Sequence, residues 1–172
     1  MGYASTPLSR KNLRMAAMKL RKQLGYRDDE SVAPEVILEL LPKLFRCDYQ
    51  IVPAEEMGEK HGETQLLEGI VRIREDVYEG AIKGVGRDRF TICHEFAHLL
   101  LHSSLCQNVS LARMDDRNIP IYENPEWQAN VFAAEFMMPY SKLRSGMRVN
   151  EVMTAYGVSR AAAECQLKHC WK

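Results

Sequence analysis

At 172 residues the chain is long enough for one domain with a substantial core and too short for two of ordinary size. Apolar residues make up 46% and charged residues 27%, ordinary proportions for a soluble globular protein, and the chain holds no internal repeat or low-complexity tract. Lys plus Arg equals Asp plus Glu at 23 each, so the net charge is zero and nothing draws the chain over long range to phosphate backbones or anionic membranes; nucleic acid is disfavoured as the main partner.

In chain order, residues 1–10 read as a flexible tail. They contain no apolar stretch long enough for a signal peptide or a membrane span, only a loose myristoylation pattern at Gly2 and Thr6. From Lys11 to Leu24, Leu13, Ala16, Ala17, Leu20 and Leu24 recur at helical spacing, and Gly25 ends the helix. A second helix starts at Pro34 and should stop or kink at Pro42. Tyr49–Val52 reads as a short strand and Glu55–Gln65 as a polar loop. Leu67–Arg74 is a strand, with Val71 and Ile73 on one face, and Val77–Ile82 is a possible pairing partner. Arg87–His102 is one helix, capped by Asp88. Ser103–Pro125 is a long connection, Glu126–Met138 a helix stopped by Pro139, and residues 148–172 a helix-turn-helix-like tail packed on the body, with its turn at Gly157. The five cysteines (47, 93, 106, 165 and 170) are odd in number and lack a Cys-x-x-Cys pair. That pattern argues against a disulfide framework and for reduced thiols in the cytoplasm.

The chemistry concentrates in His94-Glu95-Phe96-Ala97-His98. Four residues advance a helix by about 400°, so His94 and His98 lie about 40° apart on one face and can reach one ion. Glu95 is turned about 100° from His94, close enough to touch a water at the metal without being a ligand. The helix is apolar on nearly every other side, and burying two imidazoles and a carboxylate there is costly unless they share a partner such as a divalent cation. His102 sits about 12 Å along the axis from His94, too far to bind the same ion. A third ligand must come from the helix after the long connection. Glu126 and Glu135 are half a revolution apart, so only one of them can face the metal. Glu126 is favoured, because Asn130 shares its face and can hold a histidine ring; Glu135 is then a surface carboxylate or a core salt-bridge partner. Tyr122, Tyr140 and His102 are candidates for oxyanion or substrate contacts.

Two blocks together resemble the ImmA/IrrE family of metallo-endopeptidases, a gluzincin-like group. One runs from Arg89-Phe90-Thr91 through His94-Glu95-x-x-His98 to Leu100-Leu101-His102. The other is Glu126-x-x-Ala129-Asn130-x-Phe132-Ala133-Ala134-Glu135-x-Met137-Met138-Pro139. The resemblance implies Zn2+ held by His94, His98 and Glu126, with Glu95 as catalytic base. It also implies a helix-turn-helix repressor as protein substrate. The expected fold is α+β, mostly helical, with a small antiparallel sheet beside a zincin-like active-site helix, in a single domain spanning 1–172. Two rival readings remain open: a metal-bound protein that sequesters a repressor without cutting it, and a DNA- or repressor-binding module acting through the C-terminal tail.

Overall fold

The computed structural model describes residues 2–103, 112–114 and 119–170. Strand β1 (Gly2–Ala4) pairs antiparallel with β5 (Ala112–Met114). Ser5 N–H and Leu8 N–H then donate to the carbonyls of Glu123 (2.8 Å) and Tyr122 (2.9 Å). The expected loose tail is therefore anchored, because its backbone donors find carbonyls on the segment leading into the site.

Helix α1 (Arg10–Gln23) starts with a reciprocal cap, in which Ser9 Oγ accepts from Asn12 N–H and Asn12 Oδ1 accepts from Ser9 N–H. It ends before Gly25, whose φ of 80° supplies the left-handed turn. Helix α2 (Pro34–Leu44) begins on Pro34 but passes through Pro42, whose missing N–H falls in the last turn.

Strands β2 (Asp48–Val52), β3 (Gly62–Gln65) and β4 (Ile70–Arg74) form a sheet in the order β2-β4-β3. β2 runs parallel to β4, with Asp48 opposite Ile70, and β3 runs antiparallel to β4, with Thr64 opposite Val71. The sheet is thus mixed rather than purely antiparallel. Much of the segment expected to be a loop is ordered as the one-turn helix α3 (Ala54–Met57) and strand β3. β4 lies in the middle of the sheet and β3 at its edge. The residues expected to pair as a strand after β4 instead form helix α4 (Glu75–Ile82). Glu75 and Asp76 favour a helix N-terminus, and Val77, Gly80 and Ala81 bury one helical face.

Helix α5 (Gly86–His102) packs against β3 and β4 on one side and against helix α6 (Pro125–Met137) on another. Its N-cap is Val85 with no side-chain cap; Asp88 instead lies close over Gly80, where a Cβ would collide with it. The α5–α6 interface is aromatic: Phe96 meets Phe136 with centroids 6.4 Å apart, and Phe132 stacks on Phe136 at 5.9 Å. α1 covers a further face of α6.

Helices α7 (Val149–Tyr156) and α8 (Arg160–Cys170) meet at Gly157, in the left-handed region at φ 62°. The pair is tied to the body by Ser31 Oγ–H donating to Tyr156 O (2.9 Å), Arg89 Nη1 donating to Gly157 O (3.2 Å) and Gln166 Nε2 donating to Met138 O (3.2 Å). Among the described residues, no helix is long and apolar enough to cross a membrane. Cys47, Cys93, Cys165 and Cys170 form no disulfide among the described residues, and Cys106 lies outside them.

Candidate metal centre

Helical periodicity puts His94 and His98 one turn apart on α5, and the side chains meet as that spacing requires. Their ring centroids are 4.6 Å apart and their Nε2 atoms 3.0 Å apart. Glu126 comes to the same place because α6 starts there. Asn124 caps the helix by accepting from the backbone N–H groups of Glu126 (2.9 Å) and Trp127 (3.2 Å), and Pro125 occupies the first turn. Glu126 Oε2 is 3.2 Å from His94 Nε2, and Oε1 is 3.3 Å from His98 Nε2.

These three residues form a group that could hold a metal ion, with one donor atom from each lying within 4.8 Å of the others. The donor chemistry fits zinc. Ligands about 2.0–2.1 Å from a tetrahedral ion stand about 3.3 Å from one another, close to the separations found here. Two nitrogens and one carboxylate oxygen also leave a fourth position for water or substrate.

The second nitrogen of each imidazole is occupied. His94 Nδ1 lies 3.1 Å from Asn130 Oδ1, on the helix face that also carries Glu126. His98 Nδ1 lies 3.3 Å from His102 Nδ1, and His102 Nε2 lies 2.9 Å from Gln128 Oε1. Burial pushes the His102 pKa down to about 4, with Gln128 opposing and His98 adding to the shift. His94 shifts the other way: burial depresses it, but Glu126, Glu95 and Asn130 together raise it. Glu126 is held well below the usual carboxylate range by the adjacent His94 and His98 rings, against the opposing effect of burial.

Glu95 points across to the sheet. Thr64 Oγ1 is 2.7 Å from Glu95 Oε2 and 2.9 Å from Glu95 O. The Glu95 side chain also lies over Gly62, where an added Cβ would come within 2.6 Å of its Cγ. Gly62 and Thr64 share one face of β3 because side chains alternate along a strand. Together with Lys60, Glu63 and Leu66 they form the wall opposite His94, His98 and Glu126 in a cleft of about 440 Å3.

The structure therefore gathers His94, Glu95, His98, Glu126 and Asn130 in one place. His102 adjoins them, but as a buried partner of His98 and Gln128. Glu135 faces away, buried against Arg10 (3.3 Å) and Arg14 (3.0 Å), one of the two roles expected of it. Tyr140 lies beneath the Arg14 guanidinium, 3.8 Å from its carbon to the ring centroid, and is not among the residues lining the cleft. Tyr122 is exposed and also outside that lining; it contributes its backbone carbonyl to Gln128. Sequence reasoning misses Gly62, Thr64 and Gln128. The first two fall in a stretch without apolar alternation, and Gln128 lies off the Glu126–Asn130 face, so no local pattern marks them.

A family model, Peptidase_M78, described as the IrrE N-terminal-like domain, matches residues 53–168. Among solved structures, a Mycobacterium tuberculosis transcriptional regulator is similar, with a TM-score of 0.60 and 19% identity over 91% of this chain. The match covers 46% of that protein, so this chain spans about half its length, and at this identity the likeness concerns the fold. No curated protein matches the chain significantly.

Proposed function

We propose that this chain, which belongs to the family of IrrE N-terminal-like domains, is a zinc-dependent endopeptidase whose substrate is a helix-turn-helix transcriptional repressor. One observation carries the peptidase part of this reading, and the repressor as substrate rests on the family resemblance. Two imidazole nitrogens and a carboxylate oxygen converge on one point, and a second carboxylate, Glu95, stands beside them in the same cleft.

In this proposal His94, His98 and Glu126 hold zinc, and Asn130 steadies the His94 ring. When bound, the ion supplies Lewis acidity, bringing the pKa of water to about 7 and polarising the scissile carbonyl. Glu95 accepts the proton of the attacking water at its carboxylate and delivers it to the leaving amine. Thr64 donates to Glu95 Oε2 and so fixes the direction of that carboxylate. Gly62 leaves room for it, since any larger residue would displace the base. With β4 interior to the sheet, strand addition of substrate falls to β3, whose outer edge has no partner strand among the described residues. An extended peptide there would run past Glu95, and a peptide-bound structure showing substrate elsewhere would remove this part of the reading. Cysteines without disulfides among the described residues and a repressor substrate both suit a reaction in the cytoplasm.

Glu95→Gln tests the proposal. With a candidate repressor as substrate, cleavage should fall about 10^3-fold while zinc binding persists. Unchanged cleavage excludes Glu95 as the base. If the wild type holds zinc and binds the repressor but never cuts it, the protein sequesters its partner instead. The DNA reading of α8 rests on a thin basic face of Arg160, Lys168 and His169, in which Arg160 is engaged by Asn150 (2.9 Å) and Glu164 (3.5 Å). Salt-dependent duplex binding by the purified protein would favour it.

A further inference from the structure

We propose that His102 and Gln128 are positioning residues that fix His98 in the tautomer with its proton on Nδ1 and its Nε2 lone pair turned toward His94 and Glu126. The proposal rests on the metal-site reading above and adds what prepares that site before any ion arrives.

The hydrogen bonds can be followed from one end. Gln128 is buried, and its amide nitrogen donates to two backbone carbonyls, Thr6 O at 2.9 Å and Tyr122 O at 2.7 Å. An amide nitrogen has two protons, so both are used. Flipping the amide would set its oxygen against two carbonyl oxygens, so the orientation is fixed. Gln128 Oε1 is then an acceptor only, and the atom facing it is His102 Nε2 at 2.9 Å, which must carry the proton. A neutral imidazole has one N–H, so His102 Nδ1 is an acceptor. It faces His98 Nδ1 at 3.3 Å, which must donate. In a neutral imidazole that leaves His98 Nε2 without a proton.

Neutral His94 reaches the same state by a shorter route, because Asn130 Oδ1 faces its Nδ1 at 3.1 Å and accepts from it. Two unprotonated Nε2 atoms then face each other at 3.0 Å, with a carboxylate oxygen near each. Lone pairs so placed repel unless a cation lies between them. The relay begins at the backbone of the N-terminal segment, which Ser5 and Leu8 hold in place. That gives a function to the order of residues that read from sequence as a loose tail.

The test uses the full chain with zinc alone as probe. In the metal-free wild type, 15N NMR of the histidine side chains should show His98 protonated at Nδ1. His102→Leu removes the acceptor and should weaken zinc binding about 10- to 100-fold, measured by chelator competition. His102→Gln offers an amide oxygen to His98 and an amide N–H to Gln128, and should recover most of that loss. A His98 protonated at Nε2 in the wild type overturns the proposal, as does a His102→Leu variant that binds zinc as tightly as wild type. If leucine at this position prevents folding, the wild-type NMR spectrum decides alone. Failure of the wild type to bind zinc overturns the peptidase reading instead, and the tautomer measurement still decides this one.

Discussion

Helix α6 carries two glutamates on opposite faces, each held by two nitrogen-bearing side chains, and their surroundings differ in what they leave undone. Glu135 has none of its side chain exposed and accepts from Arg10 and Arg14, both guanidinium groups that keep their charge at every ordinary pH. Its charge is balanced within the fold. Glu126 has 69% of its side chain exposed and faces two imidazoles whose other nitrogens are engaged by Asn130 and His102. In their neutral forms those rings have no proton for either carboxylate oxygen, and a cation bound between them would supply the balance at Glu126. A carboxylate between fixed cations is a clamp, and one between two imidazole lone pairs is a place for an ion.

The sharpest way to break this comparison is to remove each glutamate in turn. Glu126→Ala should weaken zinc binding by about 10^3-fold or more, near 4 kcal/mol, because two imidazoles alone make an incomplete cage. The metal-free protein should lose less than about 0.5 kcal/mol, since the residue is exposed. Chelator competition and denaturant melts measure the two effects separately. Unchanged zinc affinity would mean that the ion, if held at all, is held elsewhere.

Glu135→Ala should do the reverse. It leaves two arginines facing a gap in the α1–α6 interface and should cost about 3 kcal/mol, the low end for a broken buried pair because both arginines can partly reach water. For a chain of this size the melting temperature should drop by roughly 10 °C. Zinc affinity of the folded fraction should stay within about threefold of wild type, as expected for sites without shared partners. A parallel loss of zinc would show that the two faces of α6 are coupled.

What is legible in the amino-acid sequence depends on the range of the interactions involved. His94, His98 and Glu95 lie within one helical turn and a half, so spacing alone places them, and Glu126 with Asn130 follows from the period of a second helix. The reciprocal cap at Ser9 and the left-handed turns at Gly25 and Gly157 are equally local. The sheet is harder to read. Gly62-Glu63-Thr64-Gln65 has little strand propensity of its own and becomes β3 by pairing with β4, so tertiary contact overrides local preference. Helix α4 reads as a strand because Val77 and Tyr78 suit strands, while the acidic first turn and the buried spacing of Val77, Gly80 and Ala81 decide for helix. Gln128 meets Thr6 from 122 positions away. No window of sequence contains that contact.

Thr64 offers the smallest effect and the finest test, because it acts on the base and leaves the ligands alone. Its hydroxyl has a single proton, and the shorter of its two contacts with Glu95, 2.7 Å to Oε2, takes it. Thr64→Val keeps the shape of the side chain, suits a strand at least as well, and leaves the backbone pairing with Val71 intact. Stability should therefore change by less than about 0.5 kcal/mol. Glu95 then loses the bond that selects its rotamer, and kcat should fall about tenfold, the equivalent of about 1.4 kcal/mol, with KM and zinc affinity unchanged. Thr64→Ser restores the donor and should restore most of the rate. If zinc affinity fell along with kcat, Thr64 would belong with the metal-holding face of α6. If neither changed, packing on α5 alone would hold Glu95, and the sheet would contribute only the surface on which a peptide lies.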